Sequence, residues 1–221
     1  MADENATTVG AAGSATGRHV ILAVSGLCLL LVATWYVVCL PAAKVHDRPL
    51  PVVASVPAFT LTERSGRTVS REDLLGTVWV ADFVFTTCTG PCPEMTLRMR
   101  SLQETLKRTK RDVTLVTVTV DPVTDTPKVL QRYADKFGAD PERWLFLTGE
   151  DERFIHNLVL KGFLQALAPA TEDSPIIHST RFVMIDRQGR IRGSHDGLAV
   201  EERDQLLHDL DQRLAEGRDG V

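Results

Sequence analysis

Two of the four cysteines in this 221-residue chain, Cys88 and Cys92, stand as C-T-G-P-C between a buried-strand pattern and the start of a helical one. A thiol at a helix N-terminus sits in the positive end of the helix dipole, which favours the thiolate, and the carboxyl end of a buried strand opens into a site. Neighbouring thiolates there can close a disulfide or grip a soft metal. A third group, His178, stands in I-I-H-S-T-R-F-V-M-I-D, immediately ahead of another strand pattern. From the turn entering a sheet strand near the cysteine loop, an imidazole can complete a Cys2His set. Two thiolates and one imidazole, with no obvious fourth ligand, suit low-coordinate Cu(I), whereas a structural zinc takes four.

Other polar or soft side chains carry weaker readings. Asp121, at a strand end beside the cysteine strand, can orient a ligand or a partner, although Asp-Pro is also a common turn opener. Met95 and Met99 follow the cysteines at helical spacing and read as core. Cys28 and Cys39 lie in an apolar segment, where a thiol behaves as a small apolar side chain. His46, His156, His195 and His208 lack a partner pattern and read as surface or structural residues. The basic run Arg98, Arg100, Lys107, Arg108, Lys110 and Arg111 reads chiefly as a solvated face with cations complementing a helix C-terminus, with docking to an acidic partner or lipid headgroups as the lesser reading.

The elements that must position the candidate site follow from periodicity. AFTLTERSGRTVS predicts a hairpin around Ser65-Gly66, and 71–75 a helical turn. VWVADFVF (78–85) predicts a buried central strand, interrupted only by Asp82. Met95, Leu97, Met99, Leu102 and Leu106 predict a helix from Pro93 to about Arg108, and VTLVTVTV (113–120) another strand. Thr126-Pro127 predicts a helix start and Gly138 its end. A short strand at 144–147, a helix over 151–164, a hairpin of 180–186 with 190–195, and a closing helix over 201–216 complete the pattern. Strands alternating with helices imply an α/β domain whose mixed sheet is covered on both faces.

Composition narrows the function classes. Twenty-five Lys+Arg against 29 Asp+Glu leave a formal charge of -4, without the basic footprint of a nucleic-acid binder. Residues 1–19 read as a short disordered tail. Residues 20–40 contain no charge, with Trp35 and Tyr36 toward the C-terminal end, and predict an uncleaved transmembrane helix. The apolar stretch exceeds the usual signal-peptide core and lacks a convincing cleavage site. Residues 41–51 read as a Pro-containing linker and 52–217 as one globular domain. Arg18 before the span against Lys44 and Arg48 after it mildly opposes a translocated domain, so its side is set by function.

FVFTTCTGPCPEMT resembles the F-x-F-T-x-C-x-x-x-C-P signature of the Sco/SenC proteins, copper-binding thioredoxin-like proteins of cytochrome c oxidase assembly. AFTLTERSGRTVSREDLLG is similar to that family's opening hairpin, VTVDPVTDTPKVLQRYADKFGAD to its D-P-x-x-D-T segment, and IIHSTRFVMIDRQGRIRGSHDG to its histidine hairpin. The resemblance implies a thioredoxin-like mixed sheet flanked by helices, an N-terminal anchor, and copper, as Cu(I) and also Cu(II), held by Cys88, Cys92 and His178. It implies a redox disulfide between Cys88 and Cys92. The expected partners are the copper-site subunit of cytochrome c oxidase and a copper donor protein or thiol reductant. No nucleic acid is expected. Without an Arg- and Ser-rich transit peptide, a bacterial inner-membrane protein with its domain in the periplasm is favoured over a mitochondrial one facing the intermembrane space. Thr89-Gly90-Pro91 departs from the Pro-Asp type start common between the two cysteines, which alters the loop that a partner would touch. The alternative functions are a thiol-disulfide reductase, serving the oxidase copper-site cysteines, and a redox or copper sensor.

Overall fold

The structure is a computed structural model that describes residues 24–32, 34–35, 50–168 and 176–216. Its contacts separate Met1–Pro49 from Leu50–Val221. In the first unit, residues 24–32 and 34–35 are helical, with apolar side chains such as Leu29 and Trp35 exposed. No helix among the described residues is long and apolar enough to cross a membrane. The remainder of the 20–40 segment lies outside the described residues.

The second unit is built on an eight-stranded mixed sheet. Its centre is β4 (Val78–Val84), following β1 (Ala54–Ser55), β2 (Thr60–Glu63) and β3 (Thr68–Ser70). All seven β4 residues are buried. Their alternation sends Val78 and Val80 into one core, and Trp79, Ala81 and Phe83 into the other. β5 (Val113–Thr119) lies parallel to β4, and β6 (Trp144–Thr148) parallel to β5. β9 (Arg181–Ile185) runs antiparallel along the other side of β4, with β10 (Arg190–Asp196) and β1 beyond it. The β2–β3 hairpin closes the opposite edge through β6.

Helix α1 (Cys92–Arg108) begins with prolines beside its first turn and ends on Lys107 and Arg108. It buries Met95, Met99, Leu102 and Leu106 of the stripe expected from the sequence, whereas Leu97, also expected in it, is exposed. α2 (Pro127–Phe137) ends at Gly138, whose φ of 67° lets its N–H reach the last carbonyls. Thr126 has the extended backbone of an N-cap, yet its side chain makes no capping bond. α4 (Val200–Ala215) adds Leu206 and Leu210 to the core shared with α1 and α2.

Two features were not legible in the periodicity. The helix expected over 151–164 is a six-residue helix, α3 (Glu152–Asn157), continued by a π-turn at Leu158–Gly162. The wider turn brings the Gly162 backbone so close to Pro57 that a Cβ would lie 2.9 Å from its ring. Leu164 then takes a left-handed backbone, φ 57°, and turns the chain into β7 (Leu167–Ala168). β7 pairs with β8 (Ile177–His178) in a separate antiparallel ladder.

Candidate metal centre

The cysteine loop leaves the carboxyl end of β4, and Cys92 is the first residue of α1. Cys88 is half-buried, while Cys92 is fully buried in the core beside Phe85 and Phe83. His178 comes from β8, where it faces Leu167 across the short ladder. One donor atom from each of Cys88, Cys92 and His178 lies within 4.8 Å of the other two. Among the described residues this is the only such cluster of three His, Cys, Asp or Glu side chains.

Hydrogen bonding orients the imidazole. Nδ1 lies 2.9 Å from the Ser179 carbonyl oxygen, which can only accept, so Nδ1 carries the proton. That leaves the Nε2 lone pair directed at Cys92 Sγ, 2.9 Å away. The edge of the ring stacks on Phe85. Burial holds the His178 pKa below its usual value, although the Ser179 contact opposes this, so the ring is neutral at pH 7. A neutral imidazole with its tautomer fixed in this way is able to serve as a metal donor through Nε2.

Cys92 behaves differently from the expectation based on the helix start. Burial, reinforced by the neighbouring Cys88, pushes the Cys92 thiol well above its ordinary pKa, outweighing the favourable contact with the Phe85 backbone. Cys92 therefore carries a proton at neutral pH, and a thiophilic cation must displace it. Both cysteines are free thiols in this structure. The donor set fits a soft, low-coordinate monovalent ion: two sulfurs and one nitrogen converge, with no carboxylate among them.

The loop is held from beneath by Asp125, a residue to which the sequence reading gave no role. Its buried carboxylate accepts the Thr86 N–H at 3.0 Å, the Thr86 hydroxyl, and the Thr119 hydroxyl at 2.5 Å. Asp121, for which an outer supporting role was expected, instead accepts the Thr124 N–H in its own turn at 3.1 Å. Both aspartates belong to D-P-V-T-D-T; the second resembles an ordinary residue preceding a helix start, so only the fold reveals its reach. On the other side, Gln165 is buried and accepts the Ser179 hydroxyl at 2.9 Å, while the Ser179 N–H donates to Ala166.

Asp82 lies on β4 opposite Thr117 of β5. Thr117 donates to it at 2.6 Å and accepts from the Trp144 indole N–H at 2.9 Å, while the second carboxylate oxygen has no hydrogen-bond partner among the described residues. Burial raises its pKa to about 7 against the lowering effect of these bonds. The signal was visible as the one charge in a buried strand. Met95 and Met99 are core residues, as expected. His156 contacts the Val120 carbonyl, His195 faces Asp209, and His208 contacts Gln212, all apart from the cluster. His46 and Cys39 lie outside the described residues.

A mixed sheet whose central strand runs through C-x-x-x-C into a helix, with a histidine facing the thiols, defines a thioredoxin-like domain arranged around a soft-metal donor set. The SCO1/SenC family model matches residues 50–215, and the chain belongs to that family. It is 33% identical over 160 residues to the SCO1 protein homolog of Bacillus subtilis, covering 72% of this chain and 83% of the relative. A SCO1/SenC family lipoprotein from Bacillus anthracis superposes with a TM-score of 0.70 at 32% identity, covering 76% of this chain and 98% of the solved one. BsSco, described as a member of the Sco family of cytochrome c oxidase assembly proteins and for its disulfide switch, has a TM-score of 0.68. It is 33% identical, covering 75% and 96% of the two chains.

Proposed function

We propose that this protein binds copper through Cys88, Cys92 and His178 and delivers it to the dinuclear copper site of a cytochrome c oxidase. The carrying observation is the convergence of two sulfurs and a lone-pair-bearing Nε2 within 4.8 Å, with no competing carboxylate. Membership of a family that includes an oxidase assembly protein supports the destination. The protonated, buried Cys92 is a poor attacking thiol, which weighs against general disulfide exchange and toward metal holding. Cys88, the more exposed sulfur, is the one a partner can reach, so transfer by ligand exchange begins there. A disulfide between the two cysteines removes both sulfur ligands and makes loading dependent on a reductant.

In this reading residues 20–40 are a membrane anchor and residues 52–217 the working domain, held in the bacterial periplasm. The lipoprotein relative from Bacillus anthracis supports a tethered domain. The purified, reduced protein should bind one Cu(I) per chain, and none after oxidation of the cysteine pair. In cells lacking the gene, a His178→Ala variant should fail to restore oxidase activity, with only partial rescue by added copper. Normal oxidase assembly by a variant with no measurable copper binding would replace delivery by thiol reduction.

A further inference from the structure

The two ends of the parallel strands carry different chemistry. At the carboxyl ends lie the thiols; the amino ends gather the last turn of α1, the starts of β5 and β6, and the β9–β10 turn. Lys107, Arg108 and Lys110 are exposed there, and none of them is in an ion pair among the described residues. Arg143 donates to the Arg111 carbonyl and Arg187 to the Arg213 carbonyl, so both guanidinium groups rest on backbone oxygens rather than carboxylates. Arg111 does pair with Asp211, at 2.6 Å. A hollow of about 620 Å³ opens among Lys110, Arg111 and Arg187, with Asp112 and Asp211 also on its wall. The chain as a whole is at -4, so this cationic surplus is local.

Helix dipoles account for Lys107 and Arg108 in the last turn of α1, and for Arg187 at the end of α4. They do not account for Arg143, or for Lys110 at φ 54°, the left-handed position after a helix that glycine fills with least strain. The polypeptide also enters the domain at this end. The Leu50 carbonyl accepts from Arg192 at 2.5 Å, and the Val53 N–H donates to Ile191 at 2.9 Å. Residues 41–49, between the apolar stretch and Leu50, reach at most about 30 Å.

We propose that this cationic pole seats the domain on anionic lipid headgroups. The thiols then face away from the bilayer by roughly the length of α1, about 25 Å. The biological setting rests on the membrane-anchor reading above, whereas the headgroup affinity does not.

The domain from Leu50 onward is a compact unit with its own cores, and three quarters of this chain matches nearly the whole of the solved Bacillus anthracis chain, so the fragment 50–221 is a fair subject. Flotation with phosphatidylcholine vesicles, with and without phosphatidylglycerol, is expected to show binding to the anionic vesicles alone, falling as salt is raised. The triple variant Lys107→Glu, Arg108→Glu, Lys110→Glu should lose on the order of a hundredfold in partitioning while melting as the wild type does. Lys110→Gln with Arg143→Gln provides a milder second variant and should lose severalfold. Equal partitioning onto both vesicles, or no loss in either variant, overturns the proposal. Retention by soluble polyglutamate without binding to anionic vesicles overturns it in favour of an acidic protein partner. If alkaline carbonate strips the full chain from membranes while the fragment keeps its lipid selectivity, the anchor reading fails and the headgroup face stands.

Discussion

The thiol half and the imidazole half of the candidate metal centre are built by different means. The thiols hang from the central strand of the large sheet and the first turn of a 17-residue helix, with Asp125 accepting two hydrogen bonds from Thr86 in the loop and a third from Thr119 at the end of β5. His178 rests on a ladder of two-residue strands, reached through a left-handed leucine and braced by Gln165 and Ser179. Mean strands run to about five or six residues, and a pair this short contributes little alone. On the proposed reading, the contrast sets two donors that rest on the main sheet and its helix against one that rests on a minimal ladder. The sulfurs do not hang from that ladder, whereas the imidazole does, so the imidazole is the donor with the slighter secondary-structure support.

That comparison breaks first at the ligands themselves. Cys88→Ser or Cys92→Ser should each weaken Cu(I) binding by more than about a thousandfold, since hydroxyls are poor ligands for a soft ion. His178→Ala should cost on the order of a hundredfold and leave thermal melting nearly unchanged. Competition against a Cu(I) chelator measures all three. Equal losses at the histidine and the cysteines would show that the two halves hold the ion alike.

A sharper version removes the supports and leaves the ligands. Asp125→Ala strands the Thr86 N–H and the Thr119 hydroxyl in a buried site, and should destabilise the domain by roughly 2–4 kcal/mol. Copper affinity should fall about tenfold, the scale typical of groups that orient ligands. Gln165→Ala, on the imidazole side, should cost severalfold at most in affinity and less than Asp125→Ala in stability. Chemical denaturation and chelator competition on both variants test the ranking, and a larger loss at Gln165 would invert it.

Much of the thiol half was legible in the sequence because its parts are contiguous. VWVADFVF, the C-T-G-P-C turn and the methionine stripe follow one another, and each is long enough to show a period. The imidazole half was legible only as a residue. His178 could be named, but β7 and β8 are too short to carry a period, and the π-turn that leads to them reads as ordinary helix. Asp125 stayed hidden for another reason: its partners Thr86 and Thr119 are remote or unremarkable in sequence and meet only where β4 and β5 end together. The expectation of an acidic thiol at the helix start failed at Cys92 because sequence shows the dipole but not the depth of burial.

The smallest effect on copper is expected at Asp82, under the thiol half, where the informative readout is stability against pH. Its folded pKa of about 7 stands above the value near 3.9 of an unfolded chain. Between those values the unfolded state releases its proton while the folded state keeps it. Stability therefore falls as pH rises from about 4 to 7, then levels off. Asparagine copies the protonated acid in shape, and its carbonyl still accepts from Thr117. Asp82→Asn should accordingly melt like the wild type at pH 4 and be more stable at pH 8, by on the order of 2–4 kcal/mol. Copper affinity should change by less than about threefold, because Asp82 reaches the sulfurs only through its charge, which raises the Cys92 pKa. Parallel stability curves for the two proteins would mean that Asp82 is ionised in the fold. A large loss of copper affinity would mean that the thiol half depends on this carboxyl as well as on Asp125.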